Sequence, residues 1–173
     1  MKNLFSLSLI VLIFASACQP TSTEEQVEDI KTTTFILLRH AEKAKDDPRD
    51  PSLSEEGELR AQKLALLLAP MEIDAIYSTP FKRTEKTVAP LAELKSLEVQ
   101  NYNYQDSLLL HNFIQNHSGE TIVISGHSNT TPVLANQLMG DERLGWLKEN
   151  EYDKLFIVTA IEIGKGKLHL LSY

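Results

Sequence analysis

Apolar and polar positions along the chain follow two periods, and together they predict strands that alternate with helices. Unbroken apolar runs, typical of buried strands, cover residues 35–38 and 121–125, and shorter candidates lie at 73–77 and 97–102. Residues spaced at i, i+3, i+4 and i+7 predict the buried stripes of three helices. These stripes are Ala61, Leu64, Ala65 and Leu68, then Thr84, Thr87, Val88 and Leu91, and then Leu110, Phe113, Ile114 and His117.

Residues that favour helix ends predict where the first two helices begin and stop. Ser54 is predicted to cap the first helix, and Pro70 to stop it. Thr79 is predicted to cap the second helix, with Pro80 at its first position. Pro90 is expected to kink that helix or to end its regular part.

A fourth helix follows the second long apolar run. Thr131 is predicted as its cap, Pro132 as its first residue, and Gly140 as its end. Residues 141–153 are polar and acidic and are expected to be irregular.

The pattern of the last part of the chain predicts two strands. Residues 155–163 and 167–172 flank a Gly-Lys-Gly turn and predict a hairpin. Strands alternating with helices over most of the chain predict an α/β fold, a three-layer α/β/α arrangement with a mostly parallel central sheet.

The first residues have the pattern of an export signal. Lys2 precedes an apolar run over residues 4–14, which is shorter than the roughly 20 residues that a membrane-spanning helix needs. Ala15-Ser16-Ala17 is a small-residue cleavage site, so we expect residues 1–17 to be a signal peptide. Cys18, the only cysteine, follows directly, as in a bacterial lipoprotein whose cysteine is acylated. Ordinary cleavage at the Ala-Ser-Ala site, without a lipid, is the alternative.

The residues after Cys18 predict a tether and one domain. Residues 18–31 are rich in Thr, Ser, Glu and Gln without an apolar period, as in a flexible linker. The domain is expected to cover residues 32–173. We therefore expect an exported lipoprotein of the cell envelope that is anchored to a membrane.

The overall charge limits the classes of partner. The formal net charge is −7 and the pI is about 5.2, whereas nucleic-acid binding requires basic patches. A phosphate ligand is still compatible, because a pocket needs only a few local cations. The sequence therefore predicts no nucleic-acid partner.

The candidate chemistry lies at two strand ends. Arg39 and His40 follow the apolar run at 35–38, and His127 follows the run at 121–125. Ligands of open α/β sheets bind at the carboxyl ends of the strands, so these side chains are expected to converge there. Arg83, in the first turn of the second helix, and the amides of the fourth helix would add positive charge at the same place.

Four motifs that hold these residues resemble one family. They are Leu38-Arg39-His40-Ala41-Glu42-Lys43, Leu53-Ser54-Glu55-Glu56-Gly57, the segment from Tyr77 to Thr87, and Ser125-Gly126-His127-Ser128. In this order they resemble the histidine phosphatase superfamily, which has a phosphoglycerate mutase-like fold, and in length the chain is similar to its small bacterial phosphatases. The resemblance implies that His40 is phosphorylated during turnover, while Arg39, Arg83 and His127 grip the phosphoryl oxygens.

The resemblance also implies a mechanism without a cofactor or metal. Neutral His40 would attack phosphorus in line, and two guanidiniums together with His127, as a cation, would stabilise the equatorial oxygens. Water would then hydrolyse the phosphohistidine. The two histidines are also possible zinc ligands, but the flanking arginines would repel the ion.

The proton donor to the leaving group is the one role for which the sequence departs from the family. In the acid-phosphatase branch an Asp follows the second His, and here that position is Ser128. Asp106, in the segment after the third strand, is the nearest equivalent of the mutase-branch donor, and its alternative role is to cap the following helix. Glu42 is another nearby acid, for which we expect a structural role.

Two other functions remain compatible with parts of the sequence. Residues 126–130 resemble the nucleophile elbow of serine hydrolases, but Thr130 replaces its last glycine and only His169 remains downstream as a base. A non-catalytic lipoprotein that binds a phosphate ligand on the same fold is the second alternative. The expected partner in either phosphate-based case is a phosphorylated small molecule or phosphoprotein.

Overall fold

The computed structural model describes residues 31–173, in which four helices pack on a six-stranded sheet. The predicted signal peptide, Cys18 and all of the tether before Lys31 lie outside the described residues. The strands are β1 (Thr33–Arg39), β2 (Ala75–Ser78), β3 (Val99–Asn101), β4 (Thr121–Gly126), β5 (Lys154–Ala160) and β6 (Lys167–Ser172). The helices are α1 (Glu55–Leu68), α2 (Lys82–Lys95), α3 (Leu109–Asn116) and α4 (Thr130–Met139). Within this part of the chain, no helix combines the length and hydropathy needed to cross a membrane.

The sheet order is β3-β2-β4-β1-β5-β6, which places β1 and β4 side by side. The first four of these strands run parallel, whereas β5 is antiparallel to β1 and β6 is antiparallel to β5. Arg39 at the end of β1 lies opposite Gly126 at the end of β4. The predicted α/β fold with a mostly parallel sheet is therefore confirmed, with a two-strand antiparallel extension at one edge.

Alternate residues of β1 bury opposite faces of the sheet. Phe35 and Leu37 pack with apolar residues of α3 and α4, while Ile36 and Leu38 pack with those of α1 and α2. All four side chains are fully buried, as expected for a strand covered on both faces. This arrangement gives the three layers and holds the end of β1 rigidly at the centre of the sheet.

The predicted start of α2 is wrong by two residues, for a reason that involves tertiary contacts. The helix begins at Lys82, and Thr79 precedes it instead of capping it. Its hydroxyl is hydrogen-bonded to the Thr84 hydroxyl at 3.0 Å and to Nε2 of His127 at 2.9 Å, so it is not available to the helix amides. Pro90 does not end the helix, which continues to Lys95, because buried residues on both sides of Pro90 anchor it to the sheet.

The predicted start of α4 is also displaced. Thr131 lies inside the helix, where its hydroxyl donates to the Leu38 carbonyl at 3.0 Å, and Asn129 occupies the cap position without a side-chain bond. The predicted end is confirmed, because Gly140 adopts the left-handed conformation with a φ of 69°. The Thr131 bond fastens the first turn of α4 to the end of β1.

The N-terminus of α1 is fastened to the segment that follows His40. Ser54 accepts a hydrogen bond from the Gly57 amide at 3.2 Å, so the predicted cap is confirmed. The Ser54 amide donates to the Glu42 carbonyl at 2.9 Å, and a side chain at position 57 would overlap that carbonyl. The Ser-Glu-Glu-Gly motif therefore allows a close approach that supports the loop beside the site.

Candidate active site

His40 is held at the end of β1, and a hydrogen bond determines which of its ring nitrogens carries the proton. Its amide donates to the Gly126 carbonyl at 2.9 Å, which continues the pairing of β1 with β4. Nδ1 lies 2.7 Å from the Ala41 carbonyl oxygen. Because a carbonyl only accepts, Nδ1 carries the proton and Nε2 keeps its lone pair. The imidazole is therefore oriented as a nucleophile.

The charge state of His40 fits the same role. Burial, opposed by the bond to Ala41 and reinforced by the positive charges of Arg39 and Arg83, lowers the pKa of His40 from 6.5 to about 3. The ring is therefore neutral at neutral pH, as the in-line attack that the resemblance implies requires.

His127 lies beside His40, with ring centroids 5.6 Å apart and an angle of 70° between the rings. Its Nε2 is bonded to the Thr79 hydroxyl, and its amide donates to the Thr130 hydroxyl at 2.9 Å. Gly126, just before it, allows this close packing, since a Cβ there would lie 2.9 Å from Thr130 Oγ1.

The folded chain by itself does not give His127 the positive charge expected for it. Burial, together with the positive charges of Arg83 and Arg39, lowers its pKa from 6.5 to about 4, so the ring is neutral at neutral pH. A bound dianion would favour its protonation, because an opposite charge nearby favours the charged form.

Arg39 is almost fully buried, with 2% of its surface exposed, and its guanidinium is oriented by residues 148–152. Its Nη1 donates to the carbonyls of Lys148 at 2.7 Å and of Glu149 and Glu151 at 3.2 Å. The guanidinium stacks on Tyr152, with the carbon 4.2 Å from the ring centroid. Its buried Nε has no hydrogen-bond partner among the described residues. An unpaired buried donor is costly unless a ligand completes it.

Arg83 approaches the site from the first turn of α2. Its guanidinium carbon lies 4.6 Å from the centroid of the Phe81 ring, and its Nη1 lies 3.6 Å from an Asp50 carboxylate oxygen. That distance is too long for a hydrogen bond, so this buried nitrogen also lacks a partner within residues 31–173. Burial lowers the pKa of Arg83, and the ordinary pKa of a guanidinium is so high that it stays charged.

The four predicted residues, Arg39, His40, Arg83 and His127, line one pocket of about 230 Å³. Lys43 and Arg49 add two cations to its wall, Ser128 adds a hydroxyl, and Glu149 is its one carboxylate within the described part of the chain. The start of α4 lies next to this pocket, and helix N-termini favour anions. The arrangement can bind a phosphate-sized anion against a neutral imidazole.

Glu149 forms ion pairs with two cations of this pocket. One of its carboxylate oxygens lies 2.9 Å from the Lys43 ammonium, and the other lies 3.5 Å from Nη2 of Arg39. The hydrogen bond from Lys43 lowers the pKa of the Glu149 carboxyl, and Arg39 contributes in the same direction. Glu149 is therefore ionised and competes with any anion for Arg39.

Removing this charge should strengthen anion binding. For Glu149→Gln we expect inorganic phosphate to bind about two- to fivefold more tightly, the range of an exposed ion pair. A competition assay with phosphate as inhibitor measures this effect. Glu142→Gln, an equal change of charge at an exposed position of the same segment, is the control. Unchanged or weaker phosphate binding in Glu149→Gln would contradict the competition.

The candidate proton donors lie elsewhere. Asp106 is exposed and does not line this pocket, and its carboxylate accepts from the Leu108 amide at 2.9 Å, just before α3. This matches the alternative role of organising the helix start. Glu42 is paired with Arg60 through Nε and Nη2, at 2.9 and 2.6 Å, which is the structural role expected for it.

Sequence reasoning missed several contributors to the site. The sequence predicts a helix cap at Thr79 and marks Lys43 only as part of a motif. Glu149 and Tyr152 lie in the acidic irregular segment, where no periodic pattern marks them. Within residues 31–173, no group of three or more His, Cys, Asp or Glu is arranged to hold a metal ion.

The lowered pKa of His40 sets an expectation for the pH profile. Because His40 loses its proton near pH 3, its titration should not limit kcat/KM between pH 5 and 7. Any acid limb there should follow the second ionisation of the phosphate substrate, at about 6. Two substrates that differ in this pKa should therefore give kcat/KM profiles whose acid limbs lie at different pH values, each near the pKa of its substrate. A limb fixed near 6.5 for both would show that His40 titrates as a free histidine does.

Part of the chain is similar in sequence to known phosphatases. The sequence profile of the histidine phosphatase superfamily (branch 1) matches residues 35–103. Phosphoserine phosphatase 1 of Hydrogenobacter thermophilus is 44% identical over 71 residues, which cover 38% of this chain and 34% of that protein. The match therefore spans only about a third of the length of that relative.

Solved structures share the fold at low sequence identity. A mycobacterial glucosyl-3-phosphoglycerate phosphatase gives a TM-score of 0.65 at 14% identity, over 82% of this chain and 98% of that one. The protein histidine phosphatase SixA, in complex with tungstate, gives 0.64 at 18% identity, over 82% and 96% of the two chains. Over residues 35–103 the chain is therefore similar to the histidine phosphatase superfamily, and it shares the fold of these solved structures.

Proposed function

We propose that this protein is a phosphatase that hydrolyses phosphomonoesters or phosphoramidates through a phosphohistidine on His40. The observation that carries the proposal is the bond from Nδ1 of His40 to the Ala41 carbonyl, which leaves Nε2 with a lone pair inside a cationic pocket. A surface histidine would be free to rotate and would be partly protonated at neutral pH. This one is oriented and neutral.

The chemical steps follow from the groups around the pocket. The lone pair of Nε2 forms a bond to phosphorus as the bond to the leaving group breaks, and the leaving group takes the electron pair. The unpartnered Nε of Arg39 and Nη1 of Arg83 supply donors for the phosphoryl oxygens. A water oxygen then forms a bond to phosphorus as the bond between phosphorus and Nε2 breaks. Nε2 takes back its electron pair, the proton lost from water passes to solvent, and phosphate and neutral His40 result.

Similar proteins support the reaction class and leave the substrate open. Those named above are described as acting on phosphoserine, on glucosyl-3-phosphoglycerate and on protein phosphohistidine. The substrates proposed for this chain are accordingly phosphorylated small molecules or phosphoproteins. A non-catalytic receptor for a phosphate ligand is the alternative.

Turnover by the purified protein tests the proposal. We expect release of inorganic phosphate from at least some members of a panel of aryl, acyl and alkyl phosphates and phosphoramidates. Turnover should persist in EDTA, because the positive charge that stabilises the transition state comes from side chains, and vanadate should inhibit it. Binding of phosphate without turnover of any panel member would favour the receptor. Activity lost in EDTA and restored by a divalent ion would contradict metal independence.

A strong dependence on the leaving group is also expected. Within residues 31–173 the pocket wall holds one carboxylate, Glu149, which is ionised, and Asp106 lies outside the pocket. Without a positioned acid, we expect aryl phosphates to react at least about 100-fold faster than simple alkyl phosphates. A plot of log rate against leaving-group pKa should be steep in the wild type and in Asp106→Asn alike. A flat wild-type plot that becomes steep in Asp106→Asn would instead identify Asp106 as the donor.

We also propose that the protein is an exported lipoprotein anchored through Cys18. The support is the position of Cys18 directly after Ala15-Ser16-Ala17, at the end of an apolar run. Mass spectrometry of the native protein should find a lipid on Cys18, and the protein should partition into detergent. A mature form without lipid mass would contradict the anchor.

A further inference from the structure

A groove of about 190 Å³ runs along the exposed side of α4, and the mechanism above does not use it. We call it the α4 groove. Its wall includes Tyr104, Asn129, Thr130, Val133, Gln137 and Trp146. Among the described residues, none of the side chains that line it carries a charge, whereas four cationic side chains line the phosphate pocket.

The α4 groove is continuous with the phosphate pocket along the chain. Ser128 lines the pocket and the next residue, Asn129, lines the groove. Thr130, also in the groove wall, accepts the hydrogen bond from the His127 amide. The Leu147 amide donates to the Ser128 carbonyl at 2.9 Å, which fastens the backbone next to Trp146 to this same turn. A ligand phosphorylated at the pocket can therefore extend into the groove.

The α4 groove has exposed aromatic and aliphatic surface. Trp146 is 74% exposed, Tyr104 is 46% exposed and Val133 is 42% exposed. Trp146 also lies in an ordered setting, because Leu144 exchanges two hydrogen bonds with the Asn136 amide group, at 2.8 and 3.1 Å. An exposed indole on an ordered backbone can bind a planar ring without the entropy cost of ordering the segment that carries it.

We infer that the α4 groove binds the leaving group of the substrate, and that this group is an uncharged aromatic ring. The inference rests on the proposed phosphatase function and defines its substrate class. A leaving group with a carboxylate or second phosphate would find no counter-charge in the groove and would lose part of its hydration there. An aromatic ring would instead cover the exposed indole, and the Asn129 and Gln137 amides would bond to its substituents.

The described wall of the phosphate pocket has no protonated acid that could donate a proton to the leaving group. An aromatic leaving group is compatible with this wall. A phenolate is a more stable leaving group than an alkoxide, so its departure depends less on proton transfer. The groove and the pocket therefore favour the same substrates for independent reasons.

Binding to the groove can be measured directly, because Trp146 is the only tryptophan in the chain. Phenylphosphonate, which is not hydrolysed, should shift the emission of Trp146 to shorter wavelength as the ring covers the indole. Inorganic phosphate should bind without this shift. Inhibition by phenylphosphonate with unchanged Trp146 emission would overturn the inference.

Kinetics provide a second, independent test. Trp146→Ala should raise KM for phenyl phosphate by about five- to tenfold, the usual strength of an aromatic pair, and leave KM for acetyl phosphate unchanged. Leu66→Ala, which truncates an equally exposed side chain on α1, should change neither value. Equal changes for both substrates, or none, would overturn the inference while leaving the phosphatase function intact. Failure of the wild type to hydrolyse any phosphate would instead overturn the function, and the emission measurement would still test the groove.

Discussion

Replacing His40 with Asn is expected to lower kcat by at least about 10⁴-fold, as loss of a covalent nucleophile does in other enzymes. The Asn side chain can still donate to the Ala41 carbonyl, which accepts from Nδ1 of His40 in the wild type. The Asn amide, however, has no nucleophilic lone pair. The cations of the pocket remain in this variant, so phosphate should still bind. Steady-state kinetics and a phosphate-binding titration on the same preparation measure both effects.

His111→Asn is the matched control for this substitution. His111 is an exposed residue of α3, away from the pocket, so the same chemical change there should leave kcat unaltered. If His40→Asn kept activity near that of the control, a phosphohistidine mechanism at this position would be wrong. If it lost phosphate binding as well as turnover, a collapsed pocket would explain the result, and circular dichroism and thermal unfolding would detect the collapse.

Replacing Arg83 with Ala is expected to lower kcat by about 10²- to 10³-fold, the effect of removing one preorganised donor from a developing oxyanion. Arg83 has a buried nitrogen without a partner, and its stacking on Phe81 fixes the direction of the guanidinium. Arg83→Lys keeps the charge but not the planar fork of donors, so it should recover only part of the activity.

Arg143→Ala controls for the loss of an exposed arginine. Arg143 pairs with Asp141 at 3.5 Å and does not line the pocket, so kcat should not change. If Arg83→Ala raised KM while leaving kcat intact, Arg83 would bind substrate and transition state equally, contrary to the role assigned here.

The part of the site that could be predicted from sequence depends on backbone patterns. Buried strands are marked by unbroken apolar runs, and a polar Arg-His or Gly-His at the end of such a run stands at the edge where parallel strands present ligand-binding residues. His40 and His127 therefore came together as expected, because β1 and β4 are direct neighbours in the sheet.

What could not be predicted depends on contacts between distant residues. The sequence shows no partner that would compete with the helix amides for the Thr79 hydroxyl, yet this hydroxyl is bonded to His127, 48 positions away. Residues 141–153 have neither helical nor strand periodicity, so nothing indicated that Lys148, Glu149 and Glu151 would surround Arg39 through their carbonyls. The shift of the His127 pKa likewise arises from burial that only the folded chain produces.

Trapping the covalent intermediate tests the proposed phosphohistidine on His40 most directly. Brief reaction with a labelled aryl phosphate followed by a denaturing quench should leave phosphate on the protein that is stable to base and labile to acid, as a phosphoramidate bond is. Peptide mapping should locate it on His40, His40→Asn should carry none, and its rate of formation should be at least as fast as kcat. Label on a hydroxyl or carboxylate side chain, or turnover without any labelled histidine under conditions where dephosphorylation is slow, would contradict the account.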